Sequence, residues 1–292
     1  MTHKAGYVNI IGKPNVGKST LMNAMMGEKL SIITSRAQTT RHRIHGILNA
    51  PAYQVIFSDT PGILDPSYKL QENMLKAARS ALVDADVLIY LTELDESPDP
   101  TDPFLQKIAR AKVPVLLVIN KIDLSTQEQV HQCMEKWEKV LPGAEKIPVS
   151  ALENFNVDTV FSRILDLLPE SPPYYPKDAL TDKSERFFVG EMIREKILLH
   201  YKQEVPYAVE VEVESFKEDE KLIRISAQIY VERESQKGIL IGNEGKALKR
   251  VGKEARLDME DFFRKKVFLE LRVKVKKDWR NNERFIKDFG YR

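Results

Sequence analysis

The residues with the clearest chemistry form a glycine-rich segment near the start of the chain, where positions 12–19 read G-K-P-N-V-G-K-S. This segment matches the pattern G-x-x-x-x-G-K-[ST], and it lies between an apolar run and a helix-like stretch, as that pattern requires. Glycines let backbone N–H groups converge on phosphate oxygens, and a helix N-terminus adds the positive end of its dipole. We therefore predict a nucleotide-phosphate site formed by Gly12, Lys13, Pro14, Asn15, Val16, Gly17, Lys18, Ser19 and Thr20.

Two of these residues and a second motif predict the phosphate and metal chemistry. Lys18 is expected to reach the β- and γ-phosphates, and the Ser19 hydroxyl is expected to bind Mg²⁺. Asp59 follows an apolar run at 55–57 and begins the motif D-T-P-G, which suits a carboxylate that holds Mg²⁺ through water. Gly62 ends the same motif, and its N–H is predicted to sense the γ-phosphate.

A third polar cluster predicts which base is bound. The apolar run 113–119 is followed by Asn120, Lys121 and Asp123. The Asp123 carboxylate offers two acceptors, which match the N1–H and N2–H₂ donors of guanine and find no such pair on adenine. GTP is therefore favoured over ATP, and the alternative is that Asp123 caps a following helix. After the next apolar run, the guanine O6 is predicted to meet backbone N–H groups of Ser150, Ala151 and Leu152.

The hydrophobic pattern predicts the elements that position these residues. Short apolar runs at 8–11, 55–57, 87–91, 113–119 and 147–149 alternate with helix-like stretches at 19–26, 72–83, 128–141 and 157–168. This alternation predicts an α/β fold whose mainly parallel sheet is covered by helices on both faces. Because each motif follows a strand, the motifs meet at the carboxyl edge of the sheet, where open α/β sheets bind ligands.

With its motifs in this order, the first half of the chain resembles the Ras-like P-loop GTPases, in the branch related to translation factors. The resemblance implies a first switch at 31–41, in which a threonine binds Mg²⁺ and the γ-phosphate; we assign Thr40, with Thr39 as second choice. The predicted catalytic groups are Lys18, Thr40 and Gly62. Asn15 resembles the asparagine with which potassium-stimulated relatives help to hold K⁺ beside the phosphates.

The position after the D-x-x-G motif predicts a slow enzyme. Ras-type GTPases place a glutamine there to orient the attacking water, and here that position is Ile63. An isoleucine cannot orient water, so intrinsic GTP hydrolysis must rely on positioning, Mg²⁺ and Lys18. Arg36, Arg41 and Arg43 flank the first switch, and we expect them to lie on the surface or to face RNA.

Composition divides the chain at a proline-rich segment. Residues 169–176 contain four prolines, which disfavour helix and central strand and predict a stiff connector. We predict a GTPase domain at 1–170, a linker at 171–182 and a second domain at 183–292. Residues 1–182 carry 19 Lys and Arg against 22 Asp and Glu, a net charge of −3, whereas residues 183–292 carry 26 against 21, a net charge of +5. The second domain is the basic one.

The second domain contains a candidate RNA-binding loop. Helix-like stretches at 184–201, 246–266 and 278–289, an alternating hairpin at 207–230 and a strand at 267–275 predict a small α+β unit. Positions 239–252 contain G-N-E-G and resemble a type II KH core, in which such a loop clamps single-stranded RNA. The predicted RNA-binding residues are Ile241, Gly242, Asn243, Glu244, Gly245, Lys246, Lys249 and Arg250.

The charge around this loop agrees with a polyanionic partner. Residues 235–280 carry 14 Lys and Arg against 7 Asp and Glu, a local net charge of +7. The alternative is a solvated helix face on a protein-docking module. Phe262, Phe263 and Phe268 are expected to belong to the core and not to stack on bases.

A Ras-like GTPase domain followed by a type II KH domain resembles the Era family of GTPases over residues 7–291. The segments E-R-E-S-Q-K at 232–237 and V-K-V-K-K-D-W at 273–279 add to the resemblance. It implies a GTP-hydrolysing switch that binds the 3′ end of 16S rRNA and assists assembly of the 30S ribosomal subunit. It also implies peripheral association with the inner face of the membrane in some members, and DNA is not among the expected partners.

Two other functions stay open at this point. One is a nucleotide-gated docking protein, at the membrane or on another protein, that binds no RNA. The other is a tRNA-modifying GTPase, against which the single nucleotide site and the lack of a reactive C-terminal cysteine count. The longest apolar run is too short to span a membrane, and one cysteine, Cys133, with no secretory signal at the N-terminus predicts a cytoplasmic location.

Overall fold

The computed structural model describes residues 2–291, which form two compact units. The first unit contains residues 2–31, 40–65 and 74–182, and the second contains residues 32–39, 66–73 and 183–291. Two short segments that come early in the sequence, 32–39 and 66–73, therefore pack with the second unit. The predicted first switch, 31–41, is divided between the units.

Six strands form the sheet of the first unit: β1 (Lys4–Ile11), β2 (Ile44–Asn49), β3 (Tyr53–Asp59), β4 (Val87–Glu93), β5 (Val115–Asn120) and β6 (Glu145–Pro148). Their order is β2-β3-β1-β4-β5-β6, and every neighbouring pair is parallel except β2 with β3. The prediction of a mainly parallel sheet is confirmed. β2 was not predicted, because its sequence I-H-G-I-L-N breaks the apolar run with a histidine and a glycine.

Helices pack against this sheet: α1 (Lys18–Met26), α2 (Lys69–Ser80), α3 (Pro103–Ala109), α4 (Gln127–Val140) and α5 (Val157–Leu167). Trp137 on α4 is fully buried against side chains of the neighbouring strands, among them Leu88 and Leu117. α3 was not predicted, since its seven residues are too few to show helical periodicity. Asp102 precedes the helix and caps it, because its carboxylate accepts the N–H of Phe104.

The segment predicted as a linker, 171–182, is bound along the first unit. The Gln54 side chain accepts the N–H groups of Tyr174 and Tyr175 at 2.7 and 2.9 Å. Further along, Ile47 on β2 donates its N–H to the carbonyl of Leu180 at 2.8 Å. The segment contains bends at 174–175 and a turn at 177–178, and hydrogen bonds fix it to β2 and β3.

The second unit has the element order of a type II KH domain, which confirms the α+β prediction. Its elements are α6 (Glu185–His200), β7 (Glu210–Glu218), β8 (Leu222–Val231), α7 (Glu234–Ile241), α8 (Lys246–Phe263), β9 (Lys266–Val275) and α9 (Glu283–Asp288). β8 is central, antiparallel to β7 and parallel to β9. The core lies between this sheet and the helices, with Ile193, Ile225 and Met259 fully or almost fully buried.

The helix predicted near the end of the chain is shorter in the structure. The helix predicted at 278–289 is only α9, because Asp278 has a left-handed φ of 52° and a 3-10 turn at Trp279–Asn281 precedes the helix. The ammonium of Lys276 lies over three aromatic rings, 4.2 to 4.8 Å from their centroids, in a cage formed by Tyr230, Phe285 and Phe289. This aromatic cage joins the end of the chain to β8.

The prediction that three phenylalanines belong to the core is wrong for two of them. Phe268 is 58% exposed and Phe262 is 40% exposed, whereas Phe263 packs against the core. Alternation along β9 explains Phe268: Val267 points into the core at 4% exposure, so its neighbour faces the opposite side of the sheet.

Candidate functional site

The predicted phosphate loop connects β1 to α1 and requires its glycines. Gly12 has a φ of 153°, and a Cβ there would lie 2.2 Å from the carbonyl oxygen of Leu91. Gly17, the last residue before α1, has a left-handed φ of 101°, and a Cβ there would lie 2.3 Å from Nδ2 of Asn120. A side chain at either position would collide with its neighbour, so the loop can hold this shape only with glycine.

The Lys18 side chain is folded onto the same loop. Its ammonium is buried, with the residue 6% exposed, and donates to the carbonyl oxygens of Lys13 at 2.7 Å and Gly12 at 3.1 Å. Burial lowers the pKa of Lys18 to about 8, against the opposing effect of the Asp59 and Glu96 carboxylates. A buried cation that is held by neutral carbonyls can exchange them for phosphate oxygens, which are stronger acceptors.

Three oxygen-bearing side chains converge beside the start of α1. The Ser19 hydroxyl donates to Oδ2 of Asp59 at 2.6 Å, and its Oγ lies 2.9 Å from Oγ1 of Thr40. Thr40 also donates to Oδ2 of Asp59, at 3.2 Å. Within residues 2–291, the other Asp59 oxygen, Oδ1, is buried without a hydrogen-bond partner. This all-oxygen set with one open carboxylate oxygen fits Mg²⁺.

The two threonines considered for the first switch have different surroundings. Thr40 is 8% exposed and lies with Ser19 and Asp59. The Thr39 hydroxyl instead donates to the carbonyl of Arg36 at 2.6 Å and lies 2.6 Å from the Thr34 hydroxyl. The structure therefore brings Thr40, and not the side chain of Thr39, to the oxygen cluster.

The D-x-x-G motif packs directly against the phosphate loop. A Cβ on Gly62 would lie 2.7 Å from the backbone N and Cα of Pro14, so only glycine permits this approach. The next residue, Ile63, donates its N–H to the carbonyl of Gly12 at 3.1 Å, and its side chain packs against the core. Position 63 therefore contributes backbone contact and apolar packing to the site.

Two arginines near the first switch are less exposed than predicted: Arg41 is buried and Arg43 is half-buried. Arg41 is 1% exposed. Arg43 donates to Asp84 at 2.5 Å and to the Ser58 hydroxyl at 2.6 Å, in a network that also includes Asn9. The Arg43 guanidinium therefore has fixed structural partners, because β2 begins at the next residue and places the chain against the sheet.

Asn120 joins the predicted phosphate loop to the predicted base-binding segments. Its side-chain amide donates to the carbonyl of Val16 at 2.8 Å, and its oxygen accepts the N–H of Ala151 at 2.9 Å. Lys121 has a left-handed φ of 63° and forms an ion pair with Glu93, a partner that no sequence motif indicated. Asn120 therefore hydrogen-bonds its own loop to the loop that contains Val16 and to the loop that contains Ala151.

Asp123 is exposed, in a 3-10 turn at Ile122–Leu124 that follows β5. The alternative in which it caps the next helix is wrong. Thr126 caps α4 instead, in a capping box with Gln129. The Asp123 carboxylate is thus not used by the helix.

The prediction for residues 150–152 needs correction. The N–H of Ser150 donates to the carbonyl of Phe155 at 3.1 Å, and the N–H of Ala151 donates to Asn120. Two of the three N–H groups expected to face the guanine O6 are therefore already hydrogen-bonded within the protein. Leu152 is 77% exposed beside them.

The remaining residues of the predicted phosphate site line the loop and the start of α1. Val16 is buried, and Thr20 is half-buried in the first turn of α1. Lys13 forms an ion pair with the buried Glu96 at 3.1 Å. Asn15 is exposed at the rim of the loop with a left-handed φ of 66°. Glu96 also accepts the Tyr90 hydroxyl at 3.0 Å, and no sequence motif indicated this anchor for the loop.

The predicted RNA-binding loop joins α7 to α8 by a sharp turn. Gly242, Glu244 and Gly245 all have left-handed φ values, of 71°, 51° and 73°. A Cβ on Gly242 would lie 2.6 Å from Cβ of Ala247, so this position requires glycine. Ile241 and Gly242 are half-buried and Asn243 is exposed, which presents a short backbone surface at the start of α8.

The basic residues around this loop have acidic neighbours. Lys246 pairs with Glu244 at 2.8 Å, and Arg250 pairs with Glu254 at 3.0 Å. Lys249 is exposed on α8. Both ion pairs are solvent-exposed and worth little, so a phosphate group can replace the carboxylates at small cost.

Comparison with known proteins agrees with this arrangement. A family model described as 50S ribosome-binding GTPase matches residues 7–121, and a KH domain model matches residues 204–280. GTPase Era of Thermoanaerobacter sp. (strain X514) is 46% identical over 294 residues, which cover 100% of this chain and 97% of that protein. The chain belongs to the Era family of GTPases.

Other Era proteins support the same assignment. GTPase Era of Syntrophus aciditrophicus (strain SB) is 47% identical over 291 residues, covering 99% of this chain and 95% of that protein. A crystal structure of Era in complex with MgGDPNP and nucleotides 1506–1542 of 16S ribosomal RNA matches this Era-family chain with a TM-score of 0.93. The two are 39% identical, and the match covers 99% of each chain. The predictions of a P-loop GTPase fold, a type II KH domain and GTPase activity are confirmed.

Within residues 2–291, no helix is both long enough and apolar enough to cross a membrane.

Proposed function

We propose that this Era-family GTPase alternates between GTP and GDP states and binds the 3′ end of 16S rRNA through the loop between α7 and α8, during assembly of the small ribosomal subunit. The observation that carries the proposal is the Era structure with MgGDPNP and 16S rRNA, which matches the chain over almost its full length. The glycine requirement at Gly242 and the basic residues around the loop support it.

Each group of the nucleotide site has a proposed role. Lys18 exchanges its loop carbonyls for the β- and γ-phosphates, and Ser19, Thr40 and Asp59 hold Mg²⁺. When bound, Mg²⁺ neutralises charge that develops on the phosphate oxygens during hydrolysis. Gly62 donates its N–H towards the γ-phosphate.

We assign recognition of the guanine base to residues 120–123 and to residues 150–152, at the carboxyl edge of the sheet. Asp123 accepts from guanine N1–H and N2–H₂, while Asn120 and Lys121 support the base-binding loops. The Leu152 N–H is the donor proposed for the guanine O6, while internal hydrogen bonds of the Ser150 and Ala151 N–H groups keep this loop in place.

The catalytic rate is proposed to be low without a partner. The Ile63 side chain packs into the core and cannot order water, so positioning by Lys18, Thr40 and Gly62 supplies the intrinsic rate. Asn15 at the loop rim is the proposed K⁺-side residue. Turnover in KCl and NaCl at equal ionic strength tests this role, and equal rates would exclude it.

An RNA-binding measurement with the full chain tests the central proposal. In the presence of Mg²⁺ and a GTP analogue, we expect RNA of the 16S 3′-terminal sequence to bind more tightly than a shuffled RNA of the same length. Lys249→Gln should weaken binding, because it removes a cation from α8 beside the loop. Lys221→Gln, which removes an exposed cation from the hairpin turn before β8, is the matched control. Equal affinity for both RNAs, or equal loss in both variants, would contradict the proposal.

We further propose a cytoplasmic location, because the proposed RNA partner is part of the ribosome. Peripheral association with the inner face of the membrane is the finer prediction. Fractionation of cells in low and high salt tests it: a membrane-bound fraction that high salt releases supports association, and recovery in the soluble fraction alone contradicts it.

A further inference from the structure

Arg194 on α6 is a buried cation that contacts the predicted first switch. It is 1% exposed, and one edge of its guanidinium donates to the Glu191 carboxylate, from Nε at 2.7 Å and from a terminal nitrogen at 2.5 Å. The terminal nitrogens also donate to the carbonyl oxygens of Thr39 and, at 3.4 Å, Gln38. A guanidinium is always charged and presents its donors in a fixed fork, so one side chain holds a carboxylate and a chain segment together.

The same helix holds the other end of the segment. Glu195, one residue after Arg194, accepts the N–H of Ile33 at 3.3 Å. Between these two anchors, the Thr34 hydroxyl accepts the N–H of Arg36 at 3.1 Å and lies 2.6 Å from the Thr39 hydroxyl. Residues 33–39 therefore form an internally bonded turn that α6 fixes at both ends.

The second early segment of this unit is attached to the first. The Tyr68 hydroxyl donates to the side-chain oxygen of Gln38 at 2.7 Å. The Arg280 guanidinium lies 4.7 Å from the centre of the Tyr68 ring, and Lys69 pairs with Glu283 at 2.7 Å. Segments 32–39 and 66–73 thus share a network with the C-terminal part of the KH-containing unit.

The contact with Thr39 also constrains Thr40. The carbonyl of Thr39 and the N–H of Thr40 belong to one planar peptide group, so a hydrogen bond to the first limits the rotation of the second. Thr40 in turn lies against Ser19 and Asp59 at 2.9 and 3.2 Å. The segment that Arg194 binds is therefore joined by one peptide group to Thr40, a proposed Mg²⁺ ligand.

We propose that Arg194 is a positioning residue, which holds Thr40 in the arrangement that the γ-phosphate requires and so couples GTP binding to the KH-containing unit. This inference rests on the proposed function. We call Arg194, Glu191 and the carbonyls of Gln38 and Thr39 the Arg194 clamp. GDP lacks the phosphate that Thr40 is proposed to contact, so the clamp favours GTP over GDP. By linkage, a ligand that stabilises the clamp raises GTP affinity, and GTP stabilises the clamp by the same factor.

The test compares the affinity for two nucleotides in the full chain with Mg²⁺ present. A non-hydrolysable GTP analogue and GDP are titrated against the original protein, Arg194→Gln and Arg194→Lys. The double variant Glu191→Gln with Arg194→Gln removes both charges, so no buried carboxylate loses its arginine if the single variant folds poorly. Arg256→Gln is the matched control, because it removes an ion pair with Glu260 inside α8, at 2.8 Å in the original protein.

We expect the Kd for the GTP analogue to rise about tenfold in Arg194→Gln and in the double variant, while the Kd for GDP changes less than about twofold. Arg194→Lys should recover part of the loss, since a lysine keeps the charge without the fork. Equal losses for both nucleotides, no loss, or the same selective loss in Arg256→Gln would overturn the clamp. Failure of the original protein to bind either nucleotide would instead refute the proposed function itself.

Discussion

Gly17→Ala is expected to destabilise the protein and to weaken nucleotide binding, because the new methyl group would collide with Asn120. The new Cβ would lie 2.3 Å from Nδ2 of Asn120 at a backbone φ of 101°. Asn120 would have to move, and it would lose its hydrogen bonds with Val16 and Ala151, which are 2.8 and 2.9 Å long. The predicted phosphate loop would then separate from the predicted base-binding loops.

The expected cost has two parts. A left-handed backbone costs a residue other than glycine about 1–2 kcal/mol, and each buried hydrogen bond that is lost costs about 1 kcal/mol. The sum is about 3–4 kcal/mol of unfolding free energy. Gly27→Ala is the matched control, because Gly27 has a φ of 69° and a Cβ there would meet nothing within 4 Å. It should show the backbone cost alone.

Urea unfolding followed by circular dichroism measures both costs, and fluorescence titration with GDP measures binding. In an Asn120→Ala background the collision is absent, so the cost of Gly17→Ala should fall to that of Gly27→Ala. We expect Gly27→Ala to bind GDP normally and Gly17→Ala to bind it at least about 100-fold more weakly, a loss of about 2.7 kcal/mol. If Gly17→Ala costs no more than Gly27→Ala, or costs the same with and without Asn120, the contact between residues 17 and 120 has no energetic role.

Three further predictions use other parts of the molecule. Asp123→Asn should weaken GTP binding about 100-fold and favour a xanthine nucleotide, whose ring presents an acceptor at position 2. Competition titration measures the preference, and an unchanged preference for guanine would contradict the base assignment. Glu244→Gln should tighten RNA binding several-fold, because it removes an anion from the loop and frees Lys246 from its ion pair; titration at two salt concentrations checks it, and weaker binding contradicts it. Lys276→Met should lower the unfolding free energy by about 1–2 kcal/mol through loss of the aromatic cage contacts, and an unchanged urea midpoint would show that the cage adds no stability.

Much of the nucleotide site was predictable because its motifs are local. The glycines of the phosphate loop and the residues Lys18, Ser19 and Asp59 are tied to strand ends, and strand ends follow from short apolar runs. The sheet then brings them together without further information. The same holds for the loop at Gly242, which is a local turn between two helices.

What the sequence did not reveal depends on contacts between distant residues. β2 needs β3 beside it to form, and its apolar pattern is too irregular to indicate a strand by itself. The burial of Arg41 and the fixed partners of Arg43 follow from that strand. The exposure of Phe268 depends on which face of β9 meets the helices. No composition or motif indicates that segments 32–39 and 66–73 pack with the second unit, since the contacts of Arg194 join residues about 155 positions apart.

The hydrogen bonds along residues 171–182 have a practical consequence for work on the GTPase half. β2 is at the margin of the sheet, and the carbonyl of Leu180 and the side chain of Asp182 satisfy backbone N–H groups of Ile47 and His45. A fragment that stops at residue 170 would leave these donors unpaired on an open strand, which is a template for self-association. A fragment that continues to Asp182 keeps the acceptors for these N–H groups. We expect it to stay monomeric under conditions in which the shorter fragment aggregates.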